Sequence, residues 1–154
     1  MTSRSQISDF LSRRRLAVVD VSRNPRDFTR ILFREFRKRG YDAIPVHPGV
    51  AEIEGCPCFA RLSEISLPVD AALLLTRPEV TDQVVRDGAQ AGVTRVWMHR
   101  ATGPGAVSLQ AVAFCQAKGM SVVAGECPLM FLPGAGLPHC LHRLFRRITG
   151  GLPR

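Results

Sequence analysis

Residues 16–46 read LAVVDVSRNPRDFTRILFREFRKRGYDAIPV and carry the patterns of a strand, a helix and a second strand. Residues 16–19 form a short apolar run with two valines, which is typical of a buried strand. Four apolar residues then recur at the helical spacing i, i+3, i+4 and i+8 and predict the inner face of a helix: Phe28, Ile31, Leu32 and Phe36. Gly40 stands where a glycine commonly ends a helix, and residues 41–46 are again strand-like. The stretch therefore predicts a β-α-β unit.

The same alternation continues toward the C-terminus. Further strands are predicted at residues 71–75, 93–98 and 120–124. The helices between them are expected to begin near Glu79 and after the N-cap Ser108, and to end at Gly92 and Gly119. Their predicted inner faces consist of Val80, Val84, Val85, Ala111, Phe114 and Cys115.

This alternation predicts an α/β fold, a Rossmann-like, doubly wound parallel sheet of about five strands with helices on both faces. For the strand order we predict 3-2-1-4-5. A chain of 154 residues is expected to form a single domain. Its predicted parts are an N-terminal arm or short helix at 1–13, the Rossmann-like domain at 14–130, and a C-terminal loop and basic amphipathic helix at 131–154 that packs on the domain.

The predicted C-terminal helix has an apolar and a basic face. Its apolar residues are Leu141, Leu144, Phe145 and Ile148, and Arg143, Arg146 and Arg147 are expected on the solvent side. The whole chain carries 21 basic and 13 acidic residues, a formal net charge of +8. Such a surface attracts nucleic acids, membrane headgroups or a phosphorylated ligand.

The composition also favours one cellular compartment. No apolar run approaches the roughly 20 residues of a membrane span, and the N-terminus lacks the apolar core of a secretory signal. We therefore expect a cytoplasmic protein that does not bind a membrane. The five cysteines are an odd number and predict free thiols rather than a disulfide framework: Cys56, Cys58, Cys115, Cys127 and Cys140.

Arginines follow several of the predicted strands. Ligands of open parallel sheets bind at the carboxyl ends of the strands. Here those ends read Asp20-Val21-Ser22-Arg23, Val46-His47-Pro48, Thr76-Arg77-Pro78 and Trp97-Met98-His99-Arg100, and Arg26 and Arg30 follow the first. Arginine forks and helix N-termini together form a cradle for phosphate, although arginines at loop tips also serve solubility alone. No glycine lies between Asp20 and Pro25, so the standard dinucleotide fingerprint is absent.

Six stretches, in this order, carry a family resemblance: VVDVSRNPRDFTRIL, GYDAIPVHP, EIEGCPCFARLSEI, VDAALLLTRPEV, TRVWMH and GMSVVAGECP. The chain resembles the small stand-alone coenzyme A-binding proteins, which are related to the N-terminal domain of the succinyl-CoA ligase alpha subunit. The resemblance covers roughly residues 14–130 and implies the Rossmann-like fold with coenzyme A (CoA) as the cofactor.

The resemblance also implies which residues bind the ligand. Ser22 matches the serine of the family's Gly-x-Ser loop, between Val21 and Arg23. Arg26 and Thr29 match residues that open the first helix near the phosphates. The remaining implied ligand contacts are Val46, His47 and Pro48 at the second strand, Thr76, Arg77 and Pro78 over the adenosine, and Trp97 at the end of the fourth strand.

Three positions depart from the family pattern. Asp20 stands where the family usually has glycine, and a carboxylate there would repel a pyrophosphate. His47 replaces an asparagine or tyrosine, and His99 stands where a glutamine is common. These departures imply either that the ligand sits differently or that the activity has drifted from that of the family.

Three functions remain open from the sequence. The first is a module that binds CoA or an acyl-CoA without a catalytic centre of its own, as a carrier, sensor or regulatory subunit with a protein partner. The second is an enzyme that uses Cys127 in CoA-thioester or acyl-transfer chemistry, with His99 as the base. The third is a binder of another nucleotide or of nucleic acid, which is disfavoured because one Trp and one Tyr provide little stacking surface.

Two groups of residues that contain cysteines could serve metal binding or redox chemistry. Cys127, His139 and His142 could be three metal ligands, but no paired CxxC motif accompanies them, so no metal site is predicted. The spacing Cys56-Pro57-Cys58 is too tight for a zinc ribbon and gives only a weak indication of a redox pair. Neither the oligomeric state nor the acyl group follows from the sequence.

Overall fold

The computed structural model of the protein describes residues 2–100 and 103–134. These residues form four α-helices: α1 (Arg4–Ser12), α2 (Phe28–Lys38), α3 (Pro78–Gln90) and α4 (Leu109–Ala117). Their strands are β1 (Arg15–Val19), β2 (Asp42–Val46), β3 (Glu52–Ile53), β4 (Cys56–Pro57), β5 (Ala71–Leu74), β6 (Arg95–His99) and β7 (Ser121–Glu126). Five strands form a parallel sheet, and β3 and β4 form an antiparallel hairpin. The predicted α/β, Rossmann-like class is confirmed.

The strands of the parallel sheet lie in the order β2-β1-β5-β6-β7. When only the five strands of this sheet are numbered along the chain, their order is 2-1-3-4-5. The predicted order 3-2-1-4-5 is therefore wrong. The physical reason is Pro45 in β2, which has no N–H to donate and therefore suits an edge strand. The predicted order would have placed β2 between two neighbours. Instead β5, whose four residues are at most 1% exposed, lies on the inner side of β1.

Alternate residues of the strands face two cores on opposite sides of the sheet. Leu16 and Val18 of β1 pack in the core that contains buried residues of α1 and α2. Ala17 and Val19 pack in the core that contains buried residues of α3 and α4. The sheet is thus covered on both faces, as the apolar strand patterns predicted.

The inner face of α2 differs from the predicted one. Leu32, Phe33 and Phe36 are fully buried, whereas Phe28 and Ile31 are 37% and 44% exposed. The helix carries two overlapping apolar stripes, and Phe33, which the spacing argument omitted, belongs to the one that packs on the sheet. The inclusion of Phe28 and Ile31 in the inner face was therefore wrong.

The other two predicted helices agree better with the structure. Val85, Ala111 and Cys115 are buried as expected, and Ser108 caps α4 by accepting a hydrogen bond from the Ala111 N–H. Val80 is the exception, because it is 42% exposed. The three glycines predicted to end helices all have the positive φ that favours glycine: Gly40, Gly92 and Gly119.

The predicted N-terminal arm contains α1, which Ser3 and Gln6 begin with a capping box. Phe10 of α1 is 1% exposed and contacts Trp97 edge to face, with ring centroids 5.3 Å apart. The predicted basic helix with Arg143, Arg146 and Arg147 lies outside the described residues, and the boundaries at 13/14 and 130/131 stay predictions. Among the helices of the described residues, none is long and apolar enough to cross a membrane.

Candidate functional site

A cleft of about 460 Å³ opens where the carboxyl ends of β1 and β5 lie side by side. This is the point at which the strand order reverses, because the connection after β1 covers one face of the sheet and the connection after β5 covers the other. We call this side of the sheet the carboxyl edge and the opposite side the amino edge. The cleft is lined by Val19, Asp20, Val46, Pro48, Ala60, Arg61, Leu62, Thr76, Arg77, Val80, Gln83, Val84 and Asp87.

Asp20 lies in the cleft directly after β1. Its φ of 70° makes it one of two non-glycine residues with a left-handed backbone in the described part of the chain. Glycine adopts this conformation freely, while aspartate tolerates it at some cost. The Asp20 N–H donates to the Val46 carbonyl at 2.8 Å, which extends the β1–β2 ladder and holds the residue in place. The backbone here therefore has the shape that a glycine would give it, and the carboxylate is an addition.

His47 faces this carboxylate from the end of β2. Its Nδ1 accepts a hydrogen bond from the Gly49 N–H at 3.0 Å, so in the neutral ring the proton resides on Nε2. Nε2 lies 3.8 Å from the Asp20 Oδ1. The backbone N–H of His47 donates to the Phe59 carbonyl at 2.9 Å. This hydrogen bond links β2 to the segment that forms one wall of the cleft.

The loop between β1 and α2 is bonded mainly to itself. The Ser22 N–H donates to the Thr29 hydroxyl at 2.8 Å, and the Asn24 N–H donates to the Ser22 hydroxyl at 3.1 Å. The Asp27 carboxylate caps α2 by accepting from both the N–H and the hydroxyl of Thr29, each at 2.9 Å. The hydroxyls of Ser22 and Thr29 are thus already engaged in fixing the loop, whereas the side chains of Arg23 and Arg26 are exposed.

Two arginines of α2 fasten this loop to the β3–β4 hairpin. Arg30 donates to the Ser22 carbonyl at 3.1 Å, and Arg34 donates to the Pro25 carbonyl at 3.0 Å. Both also donate from Nε to the Glu54 carboxylate, at 3.0 Å each. The hydrogen bonds from Arg34 and Arg30 lower the pKa of Glu54 below its usual value. Arg30, predicted to belong to the phosphate cradle, is therefore committed to a structural contact.

The arginines of the two edges of the sheet differ in their partners. At the amino edge they form ion pairs: Arg13 with Asp9, Arg15 with Asp42, Arg39 with Glu35, and Arg95 with Asp9 and Asp70. Five exposed arginines lie at the carboxyl edge, four of them after a strand of the sheet and Arg61 in the segment before β5, and we call them the edge arginines: Arg23, Arg26, Arg61, Arg77 and Arg100. Within residues 2–100 and 103–134, none of their side chains forms an ion pair or a hydrogen bond. Guanidinium groups without ion-pair partners among the described residues thus lie at the edge that contains the cleft.

Residues 14–133 match the family model described as a CoA binding domain. The chain belongs to this family. This CoA-binding domain is similar to the uncharacterized protein YneT of Bacillus subtilis (strain 168), with 27% identity over 126 residues that cover 81% of this chain and 90% of YneT.

Solved structures share the fold. A hypothetical protein from Pyrococcus horikoshii OT3 superposes with a TM-score of 0.75 and 21% identity, over 91% of each chain. The dinucleotide forming acetyl-coenzyme A synthetase 1 of Ca. Korarchaeum cryptofilum superposes with a TM-score of 0.64 and 23% identity, over 72% of this chain and 26% of the synthetase.

The CoA-binding domain brings part of the predicted site together. Val46, Pro48, Thr76 and Arg77 line the cleft, and His47 adjoins it. The Thr76 hydroxyl lies 2.7 Å from the Thr81 hydroxyl, and this buried contact fixes the start of α3. Pro78 is the first residue of that helix. The residues implied near the phosphates lie in the adjoining loop and at the start of α2 rather than in the cleft itself: Val21, Ser22, Arg23, Arg26 and Thr29.

Trp97 is not brought to the cleft. Its side chain is fully buried in the core beside α1 and α2, and its Nε1–H donates to the Glu126 carbonyl at 2.8 Å. Trp97, the central residue of β6, therefore fills the core of this domain, with its polar atom already bonded.

Sequence reasoning missed one wall of the cleft. Arg61 and Leu62 come from the irregular segment before β5, and Gln83, Val84 and Asp87 come from α3. The segment has no periodicity that would have shown where it lies. Val80 on the first turn of α3 also lines the cleft, but its helical spacing assigned it to the inner face, so the sequence of α3 contained no signal for this wall.

The thiol and histidine considered for catalysis are both buried in the CoA-binding domain. Cys127 is 7% exposed, and burial raises its pKa, which disfavours the thiolate that a nucleophile requires. His99 is 8% exposed, and burial lowers its pKa from 6.5 to about 4. Its Nε2 has no hydrogen-bond partner among the described residues, and its ring centroid lies 5.3 Å from that of Phe28.

The described cysteines and histidines form no metal-binding cluster. In residues 2–100 and 103–134, no group of three His, Cys, Asp or Glu side chains could hold a metal ion. Cys56, Cys58, Cys115 and Cys127 are free thiols. His139, Cys140 and His142, considered with Cys127 as ligands, lie outside the described residues.

Proposed function

We propose that this domain binds CoA or an acyl-CoA in the cleft at the carboxyl edge, and that it acts as a carrier, sensor or regulatory subunit without a catalytic centre of its own. The observation that carries this proposal is the set of edge arginines, which lack partners in the described structure; Arg61 and Arg77 line the cleft, and the other three lie at the same edge of the sheet. Like charges gathered at one edge repel one another, and a phosphorylated ligand relieves that repulsion.

The cleft suits the adenosine end of such a ligand. Its volume of about 460 Å³ lies in the range of small-molecule sites. Val19, Val46 and Val84 provide apolar wall for an adenine ring, and Gln83 supplies an exposed polar side chain. Fixed apolar walls with a few polar groups are the usual form of a cofactor site.

We propose two groups of contacts along the ligand. The pyrophosphate lies at the loop after β1 and the start of α2, near Val21, Ser22, Arg23, Arg26 and Thr29. The adenosine lies at the ends of β2 and β5, near Val46, His47, Pro48, Thr76, Arg77 and Pro78. Trp97 is left out of these contacts because it is fully buried.

The absence of a catalytic centre is part of the proposal. The burial of Cys127 and the raised pKa of its thiol speak against the alternative of an acyl-transfer enzyme. We also propose a cytoplasmic location, where the four free thiols of the described residues stay reduced.

Calorimetric titration of CoA into the parent protein and two variants tests the proposal. Arg26→Ala removes an edge arginine and is expected to weaken binding roughly 10- to 100-fold, since a hydrogen bond to a charged group contributes about 1.5–3 kcal/mol. Lys118→Ala is the matched control, because it removes one exposed positive charge at the opposite edge. It is expected to change the affinity less than twofold.

The two variants separate a specific contact from general attraction. Equal weakening by Arg26→Ala and Lys118→Ala would mean that net charge, not this loop, binds the ligand. No binding heat from the parent protein with millimolar CoA would overturn the proposed function.

A further inference from the structure

Four of the edge arginines form two groups that lie on different sides of the end of β1. Arg61 and Arg77 line the cleft, whereas Arg23 and Arg26 do not. Val19, before the turn at Asp20, packs in the core of α3 and α4, and Val21, after it, packs in the core of α2. The chain thus passes from one face of the sheet to the other at Asp20. Arg61 and Arg77 lie on one side of this turn, and Arg23 and Arg26 lie on the other.

Arg61 is held on its wall by contacts that leave its guanidinium unpaired within the part of the chain that the structure describes. The next residue, Leu62, is 4% exposed and begins a 3-10 turn. Ser63 in that turn donates its hydroxyl to the Asp87 carboxylate at 2.8 Å, which fastens the turn to α3. Asp87 is the acidic residue of that wall, yet the hydrogen bond it accepts comes from Ser63 and not from Arg61.

Two separate positive groups fit a ligand with two separate phosphate groups. Dephospho-CoA carries only the 5′-pyrophosphate, while CoA also carries a phosphate on the 3′ position of the ribose. If the pyrophosphate lies at Arg23 and Arg26, the cleft still presents Arg61 and Arg77 to a second anion.

We propose that Arg61 and Arg77 form a second phosphate site that takes the 3′-phosphate of CoA, so that the domain discriminates CoA from dephospho-CoA. This inference rests on the proposed CoA-binding function and assigns a specificity role to Arg61, which the sequence patterns did not indicate. A charge-assisted arginine–phosphate bond is strong enough to separate the two ligands by at least about tenfold in affinity.

The test measures the affinities of CoA and dephospho-CoA for the parent, Arg61→Gln, and the double variant Arg61→Gln/Arg77→Gln. The ratio of the two affinities is the readout, because a general change in fold affects both ligands alike. We expect a ratio of about ten or more for the parent, a smaller one for Arg61→Gln and about one for the double variant. Arg100→Gln is the matched control, since Arg100 belongs to the same edge but does not line the cleft, and its ratio should equal that of the parent.

The outcomes distinguish this inference from the proposed function. If the parent binds CoA and dephospho-CoA equally, the second phosphate site is refuted while CoA binding stands. If Arg61→Gln leaves the parent's ratio unchanged, Arg61 is not the discriminating residue. If neither ligand binds the parent, the proposed function fails and the inference fails with it. Adenosine 3′,5′-bisphosphate and AMP provide a second comparison, in which the bisphosphate should bind the parent more tightly.

Discussion

Asp20 combines a favourable backbone with an unfavourable charge for an anionic ligand. Its φ of 70° is one that glycine adopts without strain, and its carboxylate is 44% exposed at the cleft. If the pyrophosphate lies beside it, repulsion on the order of 1 kcal/mol opposes binding at such a partly exposed site.

Removing this carboxylate should tighten CoA binding. We expect Asp20→Gly and Asp20→Asn each to increase affinity about fivefold by calorimetry. Asn is the matched variant, because it tolerates the left-handed backbone and differs from Asp20 mainly in charge. The stability of Asp20→Gly should stay close to that of the parent, as the relief of strain offsets the greater freedom of the unfolded glycine. Unchanged or weaker binding in both variants would show that Asp20 does not face the phosphates.

His99 gives the domain a specific dependence on pH. Its folded pKa of about 4 lies below the ordinary 6.5, so between these values the unfolded chain binds a proton that the folded chain excludes. The corresponding stability is present above pH 6.5 and is lost as the pH falls toward 4. Its full size is roughly 3 kcal/mol.

Urea unfolding at pH 7 and pH 4 compares the parent with His99→Leu. The parent should lose more stability over this interval than the variant, because leucine cannot take up the proton. Other acidic groups titrate in both proteins and cancel in the comparison. An equal loss in parent and variant would mean that His99 is not buried as a neutral ring.

At the scale of elements, the β3–β4 hairpin and helix α2 hold the loop after β1 between them. Glu54 at the hairpin turn accepts hydrogen bonds from Arg30 and Arg34, which also bind the loop carbonyls of Ser22 and Pro25. Glu54 also has a positive φ of 53°, so the hairpin holds this carboxylate at some backbone cost.

Neutralising that carboxylate should loosen the hairpin. We expect Glu54→Gln to lower the free energy of unfolding by about 1 kcal/mol at pH 7, a value reduced for partial exposure. Because the folded pKa of Glu54 lies below its usual 4.5, the difference should persist above that value and vanish in strong acid. Glu52→Gln is the control, as Glu52 is exposed on the same hairpin and lacks a partner in the described structure. Equal effects from the two substitutions would rule out the proposed contact.

The sequence predicted some features of the helices and not others. A glycine ends a helix through its own backbone conformation, so Gly40, Gly92 and Gly119 correctly predicted three helix ends. The face of α2 could not be chosen from its own residues, because Phe28 and Phe33 both fit an apolar stripe and only packing against the sheet separates them.

At the scale of the whole molecule, the strand order required a clue that the periodicities do not contain. Strand–helix alternation gives the α/β class but fits several orders, and Pro45 in the second strand was the residue that favoured an edge position. The correct order places the reversal between β1 and β5, which is why the cleft lies there.

Only those residues of the candidate site that lie at strand ends could be predicted from the sequence. Val46, Pro48, Thr76 and Arg77 follow strand ends, so their convergence was expected from a parallel sheet. Arg61 reaches the cleft through long-range contacts, including the hydrogen bond from the His47 N–H to the Phe59 carbonyl. No local pattern in an irregular segment reports such a contact.

The location of CoA is the central claim, and amide NMR during a titration with CoA tests it most directly. We predict shifts of the Asp20, Ser22, Val46 and Thr76 amides at the carboxyl edge. The amides of the amino edge, such as those of Tyr41 and Met120, should not move. Shifts confined to the amino edge, or no shifts at millimolar CoA, would contradict the account.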